Sequence, residues 1–170
     1  MEYIKRVIPN CRSLRLLYSG ERDGWTADQF HRLCDDQGRT LTLILSKKLY
    51  LAGGYASIPW KSTEDDQIVK DEEAFVFSLT NRMKIFKPED PDEAIVHHKH
   101  RGPYFGNSLG VSVRMNAELN GTCETIFSQN DNARYKVHVN GNGNSVLTGM
   151  GGQKNNGNFT CTGIEVYLIE

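Results

Sequence analysis

A short amphipathic helix is the clearest element that the pattern of apolar and polar residues predicts. Thr26 is suited to the N-cap position, and Gln29 follows three residues later, as a capping box requires. Phe30, Leu33 and Cys34 recur at i, i+3 and i+4, which places them on one helical face. Because so short a helix is only marginally stable alone, we expect this face to dock on a larger body.

Most of the remaining pattern is that of β-strands. Leucines occupy every second position of residues 40–45, and Phe75 and Phe77 alternate in the same way within residues 73–79. Further strands are predicted at residues 49–52, 83–86, 110–115, 134–139, 144–147 and 159–169. Many short strands separated by turns indicate a mainly β (α+β) chain that folds as a sandwich or a barrel.

Three segments between these elements are predicted to be surface loops. Residues 61–72 are charged and mainly acidic, whereas residues 116–132 and 140–158 are rich in Asn and Gly. Asn and Gly supply turns with positive φ but contribute little buried apolar surface. We therefore expect these segments to connect strands without dividing the chain into two domains.

Length and charge restrict the function further. A chain of 170 residues is long enough for one domain with its own core, so it needs no disulfide or metal to fold. Its 20 basic and 21 acidic residues give a net charge of −1, and no run of Lys and Arg indicates a nucleic-acid or membrane surface. No stretch approaches the roughly 18–20 apolar residues that span a bilayer, and residues 1–20 lack the apolar core of a signal peptide. We expect a cytoplasmic protein that binds neither nucleic acid nor membrane.

The four cysteines, Cys11, Cys34, Cys123 and Cys161, lie far apart and form no CxxC pair. This spacing fits neither a zinc ribbon nor a dense disulfide scaffold. We expect reduced and mostly buried thiols. A thiol redox sensor stays open as an alternative function, and it would require an exposed cysteine beside a cation.

His97, His98 and His100 are the most concentrated group of possible metal ligands, since three imidazoles within four residues could bind zinc or copper. In an extended chain, however, His98 and His100 share one face and His97 points away from it. Lys99 and Arg101 would also repel a cation. We therefore predict a solvated, pH-responsive surface patch with no metal or cofactor bound.

No catalytic constellation can be identified from the sequence. Ser57 and Ser145 do not lie in a G-x-S-x-G elbow, and no base is identifiably paired with a nucleophile. We therefore expect no enzymatic activity. The alternative is a hydrolase with a site centred on His31, His97 or His98.

Seven short segments, taken in order, resemble the TLDc family. They are residues 16–18 (LLY), 22–25 (RDGW), 30–35 (FHRLCD), 53–60 (GGYASIPW), 74–79 (AFVFSL), 102–106 (GPYFG) and 163–167 (GIEVY). The family-motif positions are Asp23, Gly24, Trp25, Gly53, Gly54, Tyr55, Ser57, Trp60, Phe75, Phe77, Gly102, Pro103, Phe105, Gly106 and Glu165. The resemblance implies a TLDc-like domain at residues 13–170, preceded by an N-terminal extension at residues 1–12.

The resemblance also implies a sandwich of two antiparallel β-sheets with a few short flanking helices. In such a fold Gly53 and Gly54 would allow another part of the chain to approach the backbone closely. Trp60 would anchor the following loop in the core. Glu165 would face away from its two apolar neighbours, either as a hydrogen-bonded structural acceptor or as part of a partner surface.

The function that the resemblance implies is binding to another protein. The TLDc family is linked to resistance against oxidative stress and, in several members, to binding the vacuolar-type proton ATPase and controlling its assembly. By this similarity we expect a non-catalytic, monomeric protein-interaction module whose partner is a protein such as a subunit of that ATPase.

Overall fold

The computed structural model describes residues 8, 10–80, 84–106, 109–110, 123–125, 135, 147 and 159–170. Its strands are β1 (Leu14–Ser19), β2 (Thr40–Ser46), β3 (Leu51–Ala56), β4 (Gln67–Val69), β5 (Phe75–Ser78), β6 (Lys84–Phe86), β7 (Ile95–His97), β8 (Tyr104–Phe105), β9 (Leu109–Gly110), β10 (Cys123–Thr125) and β11 (Phe159–Ile169). Its helices are α1 (Gly20–Asp23) and α2 (Ala27–Cys34), with one 3₁₀ turn at Pro91–Glu93. None of these helices is long and apolar enough to cross a bilayer.

Seven of the strands form one antiparallel sheet built around β11. The strands are ordered β1-β11-β2-β3-β5-β6, and β10 also pairs with β11. Two small antiparallel sheets, β4–β7 and β8–β9, lie beside it. The predicted mainly β fold with antiparallel sheets and short flanking helices is therefore confirmed, and its sheets are unequal in size.

Both faces of the large sheet carry apolar clusters, because apolar residues alternate along its strands. On the helix-covered face the cluster includes Ile44, Ile164 and, from α2, Phe30. On the opposite face the cluster includes Leu41 and Phe77. The sheet is thus the central layer of the part of the molecule that the structure describes.

Helix α2 confirms the predicted amphipathic helix and its cap. The hydroxyl oxygen of Thr26 accepts a hydrogen bond from the Gln29 amide at 2.8 Å, and α2 begins directly after this threonine. Phe30 and Cys34 are fully buried against the sheet. The helix ends where Asp35 takes an extended conformation. Capping and periodicity were therefore sufficient to place this element.

Two segments predicted to be loops contain strands instead. Within the acidic segment 61–72, residues 67–69 form β4 and pair with β7, and the side chain of Asp71 is only 2% exposed. Within the Asn- and Gly-rich segment 116–132, residues 123–125 form β10. Each strand is three residues long, which is too short for a recognisable alternation. The prediction that these residues are loops rather than strands is wrong.

Several predicted elements lie outside the described residues. These are the strand at 134–139 except Tyr135, the strand at 144–147 except Leu147, residues 111–115 of another strand, and the rest of the loop at 140–158.

Candidate functional site

His31, one of the histidines considered for a hydrolase site, is buried on α2 and bonded at both ring nitrogens. Nδ1 lies 2.7 Å from Asp35 Oδ1, and Nε2 lies 3.0 Å from the His98 carbonyl oxygen and 2.8 Å from the Arg101 carbonyl oxygen. All these partners are acceptors, an arrangement that favours the imidazolium, in which both nitrogens donate. Burial alone would lower the pKa of His31, but Asp35 and the two carbonyls outweigh burial and raise the pKa.

Asp35 joins His31 to a serine, but the order of the three side chains is not that of a catalytic triad. The Ser62 hydroxyl donates to Asp35 Oδ2 at 2.8 Å. Burial alone would raise the pKa of Asp35, but the hydrogen bonds from His31 and Ser62 lower it. A triad needs a nucleophile at the histidine nitrogen that faces away from the carboxylate. Two backbone carbonyls occupy that position here, so the cluster ties α2 to the turn at residues 98–101 and leaves no free base.

A second possible hydrolase signature lies at residues 106–110, which spell Gly-Asn-Ser-Leu-Gly and match the G-x-S-x-G pattern. A nucleophile elbow requires a turn from a strand into a helix. This segment instead links β8 to β9, two antiparallel strands, and Ser108 lies outside the described residues. The structural context therefore does not fit an elbow.

His97 is buried, which corrects the prediction of a solvated patch. Its side chain is 4% exposed, and neither ring nitrogen has a hydrogen-bond partner among the described residues. The ring lies edge-on to Trp60, with centroids 6.0 Å apart. Burial lowers the pKa of His97, and the cations Lys61 and His31 lower it further, whereas Asp35 opposes this shift. His97 is thus a neutral core residue at neutral pH.

His98 and His100 lie together on the outside, as the alternation predicts. Their ring centroids are 5.6 Å apart, and the His100 amide donates to His98 Nδ1 at 3.0 Å. His97 does not join them. In the part of the chain that the structure describes, no group of three or more His, Cys, Asp or Glu side chains is arranged to hold a metal ion.

The family-motif glycines are places where aromatic rings contact the backbone. A Cβ at Gly54 would lie 2.4–2.7 Å from carbons of the Phe105 ring, and a Cβ at Gly53 would lie 2.7 Å from the Phe77 ring. Trp60 packs edge-on to Phe105 at 5.6 Å. The predicted close approach at Gly53 and Gly54 is therefore present, on opposite faces of one strand.

The other aromatic and glycine motif positions also belong to the packed interior. Trp60 donates from Nε1 to Thr40 Oγ1 at 2.8 Å, which satisfies its buried polar atom. Tyr55 and Phe75 stack with centroids 5.1 Å apart. The remaining members of this buried group are Gly102, Pro103, Phe105 and Gly106.

Ser57 donates hydrogen bonds to a buried carboxylate, that of Asp71, whose role was not predicted from the sequence. Asp71 accepts hydrogen bonds from the Ser57 amide at 2.7 Å and from the Ser57 hydroxyl at 2.5 Å. It also accepts from the amides of Glu73 and Ala74, both at 3.1 Å. These bonds satisfy the buried carboxylate and join the end of β3 to the start of β5. Only the turn-forming character of Asp pointed to this role.

The motif positions around α1 form a third structural cluster. Asp23 accepts from the Ser19 amide at 2.9 Å and from Arg22 at 2.7 Å. Gly24 has a φ of 93°, a conformation that favours glycine. Trp25 packs over Gly20, where a Cβ would lie 3.0 Å from the indole.

Glu165 lies on the face of β11 opposite Ile164 and Val166, as predicted. Its carboxylate accepts a hydrogen bond from the Tyr167 hydroxyl at 2.5 Å. Burial raises the pKa of Tyr167 to about 12, and the bond to Glu165 contributes to this shift. Glu165 is half-buried, so it has a structural bond and still reaches the surface.

A cleft of about 460 Å³ has charges of both signs. Arg39 and Lys87 line it together with Glu73, over a floor that includes Tyr55 and Phe75. The Tyr55 hydroxyl donates to Glu73 at 3.3 Å. Burial and the Glu73 charge raise the pKa of Tyr55 to about 12, so this phenol stays protonated at neutral pH and is not a base.

One end of the large sheet combines exposed apolar and basic side chains. Leu49, in the turn between β2 and β3, is 74% exposed and has a φ of 63°. Ile85 on β6 is 40% exposed, and Lys47 and Lys84, which lie close to Leu49 and Ile85 in the sequence, are exposed as well. Hydrogen bonds between Leu51 and residues 79 and 80 hold the turn beside the β5–β6 hairpin. We call Lys47, Leu49, Lys84 and Ile85 the Leu49 surface.

The three cysteines that the structure describes in full are buried. Cys11, Cys34 and Cys161 are free and buried, as predicted. Burial raises the pKa of the Cys34 thiol, and Asp35 and Asp23 add to the shift. None of these three cysteines is exposed beside a cation, the arrangement that a thiol redox sensor would require.

Comparison with known proteins adds one match. A model of the TLDc domain family matches residues 1–170. A search of curated proteins gives no match.

Proposed function

Because the chain belongs to the TLDc domain family, we propose that it is a non-catalytic protein-interaction module. The Leu49 surface is the observation that carries this proposal. A leucine with positive φ costs roughly 1–2 kcal/mol relative to ordinary backbone conformations, and exposing its side chain gains no burial energy. Large apolar side chains that stay exposed at one end of a sheet are typical of a surface that contacts a partner.

Two buried polar clusters support a non-catalytic role, since their side chains are used to hold the fold. His31 is bonded to Asp35 and two carbonyls, and Asp71 is bonded to Ser57. A base that is already a buried imidazolium has no lone pair with which to accept a proton. Interaction, not acid–base chemistry, is the function that this arrangement favours.

The family supports a pathway and a first partner to test. TLDc resemblance links the chain to oxidative-stress protection and to regulation of vacuolar-type proton ATPase assembly, so a subunit of that ATPase is the first candidate. Lysines on the Leu49 surface favour an acidic patch on the partner. Free, buried thiols at Cys11, Cys34 and Cys161 are typical of a reducing compartment, which supports a cytoplasmic location.

The test is binding of purified peripheral ATPase subunits to the wild-type chain and to two surface variants. Leu49→Ser with Ile85→Ser should weaken binding at least tenfold, because a few central residues carry most of the binding energy of an interface and both replacements remove apolar area that the partner would bury. Ile68→Ser is the matched control, since Ile68 is 52% exposed on β4 and lies outside the Leu49 surface. Equal binding by all three proteins, or no binding by the wild type, would count against the proposal.

A further inference from the structure

Two of the four cysteines lie directly opposite each other on neighbouring strands. Cys123 on β10 pairs with Cys161 on β11 in antiparallel register, and the next pairs along the ladder are Glu124 with Thr160 and Thr125 with Phe159. Directly opposed residues of an antiparallel pair have Cα atoms about 4.5–5.5 Å apart. A disulfide requires a Cα separation of roughly 4.4–6.8 Å, so the Cα spacing typical of this register lies within the required range.

We propose that Cys123 and Cys161 are a modification site at which a hydroperoxide forms a reversible cross-strand disulfide. One thiolate attacks the peroxide; an S–O bond forms, the O–O bond breaks, and an alcohol or water leaves. The second thiol then attacks the resulting sulfenic sulfur, so that the S–S bond forms, the S–O bond breaks and water leaves. The two thiols lose two electrons in total, and the peroxide gains them.

The local pairing of β10 allows a reagent to reach this position when the strand opens. The Cys161 thiol is free and fully buried in the closed structure, so it reacts only when the strands separate. Strand β10 is three residues long and, among the described strands, pairs only with β11. Ladders of so few residues open at a lower free energy than the core of a sheet. Opening of β10 therefore exposes the site, and closing returns the two residues to bonding register.

A bulge in the pairing of β11 with β2, beside Cys161, also favours local opening at this position. The pairing of β11 with β2 shifts between Cys161 and Gly163, so the ladder is irregular beside the cysteine. Bulges locally disrupt the ladder and concentrate next to functional positions. Disulfide formation would fix β10 to β11 and close residues 123–161 into a covalent loop.

The experiment is a peroxide pulse on the complete chain, followed by thiol alkylation under denaturing conditions and non-reducing peptide mapping. We expect a mass loss of about 2 Da, one cross-linked peptide pair containing Cys123 and Cys161, and full reversal by dithiothreitol. Cys123→Ser should abolish the cross-link. Cys34→Ser is the matched control and should retain it, because Cys34 lies on α2 with its thiol pKa raised by burial.

The peptide map of the wild-type protein tests the proposed disulfide even if a variant folds poorly. A gain of about 16 or 32 Da without a cross-link would indicate sulfenic or sulfinic acid only and would overturn the proposal. A link that joins Cys161 to Cys34 or Cys11, or no change in mass at all, would overturn it equally.

Discussion

At the residue scale, the backbone beneath Phe105 has room for a hydrogen atom and nothing larger. A Cβ added at Gly54 would lie within 2.7 Å of three carbons of that buried ring. We expect Gly54→Ala to lower the free energy of unfolding by about 1–3 kcal/mol, the range for overpacked interiors, as measured by urea denaturation. Gly163→Ala is the control and should cost less, since its nearest neighbour would be Leu45 Cβ at 3.3 Å.

The same contact predicts coupling between the two residues. A smaller side chain at Phe105 makes room for the new methyl group, so Gly54→Ala combined with Phe105→Leu should cost less than the sum of the single changes. Strict additivity would mean that the ring is not what excludes a side chain at this position.

His31 predicts a pH dependence of stability with a definite sign. Its pKa is raised above the ordinary value of 6.5 on folding. The stabilisation is therefore fully present below pH 6.5 and is lost as the pH rises through the folded-state pKa. The difference in unfolding free energy between wild type and His31→Gln, measured by urea denaturation from pH 5.5 to 8.5, should shrink as the pH rises.

His97 shifts in the opposite direction and is present in both proteins, so only the part of its shift that comes from the His31 charge enters this difference. A difference that stays constant or grows with pH would contradict the assignment of an imidazolium to His31.

Sequence alone could not show that His31 and His97 have different environments. Burial of His97 and the bonds of His31 both come from residues distant in the chain, namely Trp60, His98 and Arg101.

At the scale of single elements, α2 depends on its cap. Thr26→Ala removes the acceptor for the Gln29 amide and should lower the free energy of unfolding by about 1 kcal/mol. Thr26→Ser keeps an acceptor and should restore most of the loss. Thermal or urea denaturation of the three proteins tests this. Equal destabilisation by Ala and Ser would show that the threonine methyl group, and not the hydroxyl, stabilises the helix start.

The length of each element and its local sequence signal explain which elements could be predicted from the sequence. Helix α2 and strand β11 carry complete local signals, a cap with periodicity in one case and a long alternation in the other, and both were placed closely. Strands β4 and β7 were missed because each has only three residues and depends on the other for its hydrogen bonds. A segment as short as Gln67–Val69 becomes a strand only because the tertiary fold brings Ile95–His97 beside it.

At the scale of the whole molecule, the order of the strands is set by contacts between the two ends of the chain. Strand β11, near the end of the sequence, lies between β1 and β2, and Glu170 accepts hydrogen bonds from the amides of Arg12 and Ser13. Local alternation predicts that such strands exist but not which strands become neighbours. The motif order of the family supplied the fold where periodicity could not.

A sheet that carries apolar clusters on both faces predicts a single cooperative unfolding transition. Phe30 belongs to the cluster on the helix-covered face and Phe77 to the cluster on the opposite face, yet both clusters are built on the same strands. Phe30→Leu and Phe77→Leu should each lower the free energy of unfolding by about 1–3 kcal/mol. Because the two side chains lie on opposite faces, the double variant should match the sum of the two within about 0.5 kcal/mol.

Tryptophan fluorescence and far-ultraviolet circular dichroism should report one coincident urea transition in every variant. Separate transitions would mean that the two faces unfold independently, because loss of either cluster would then leave the shared strands paired.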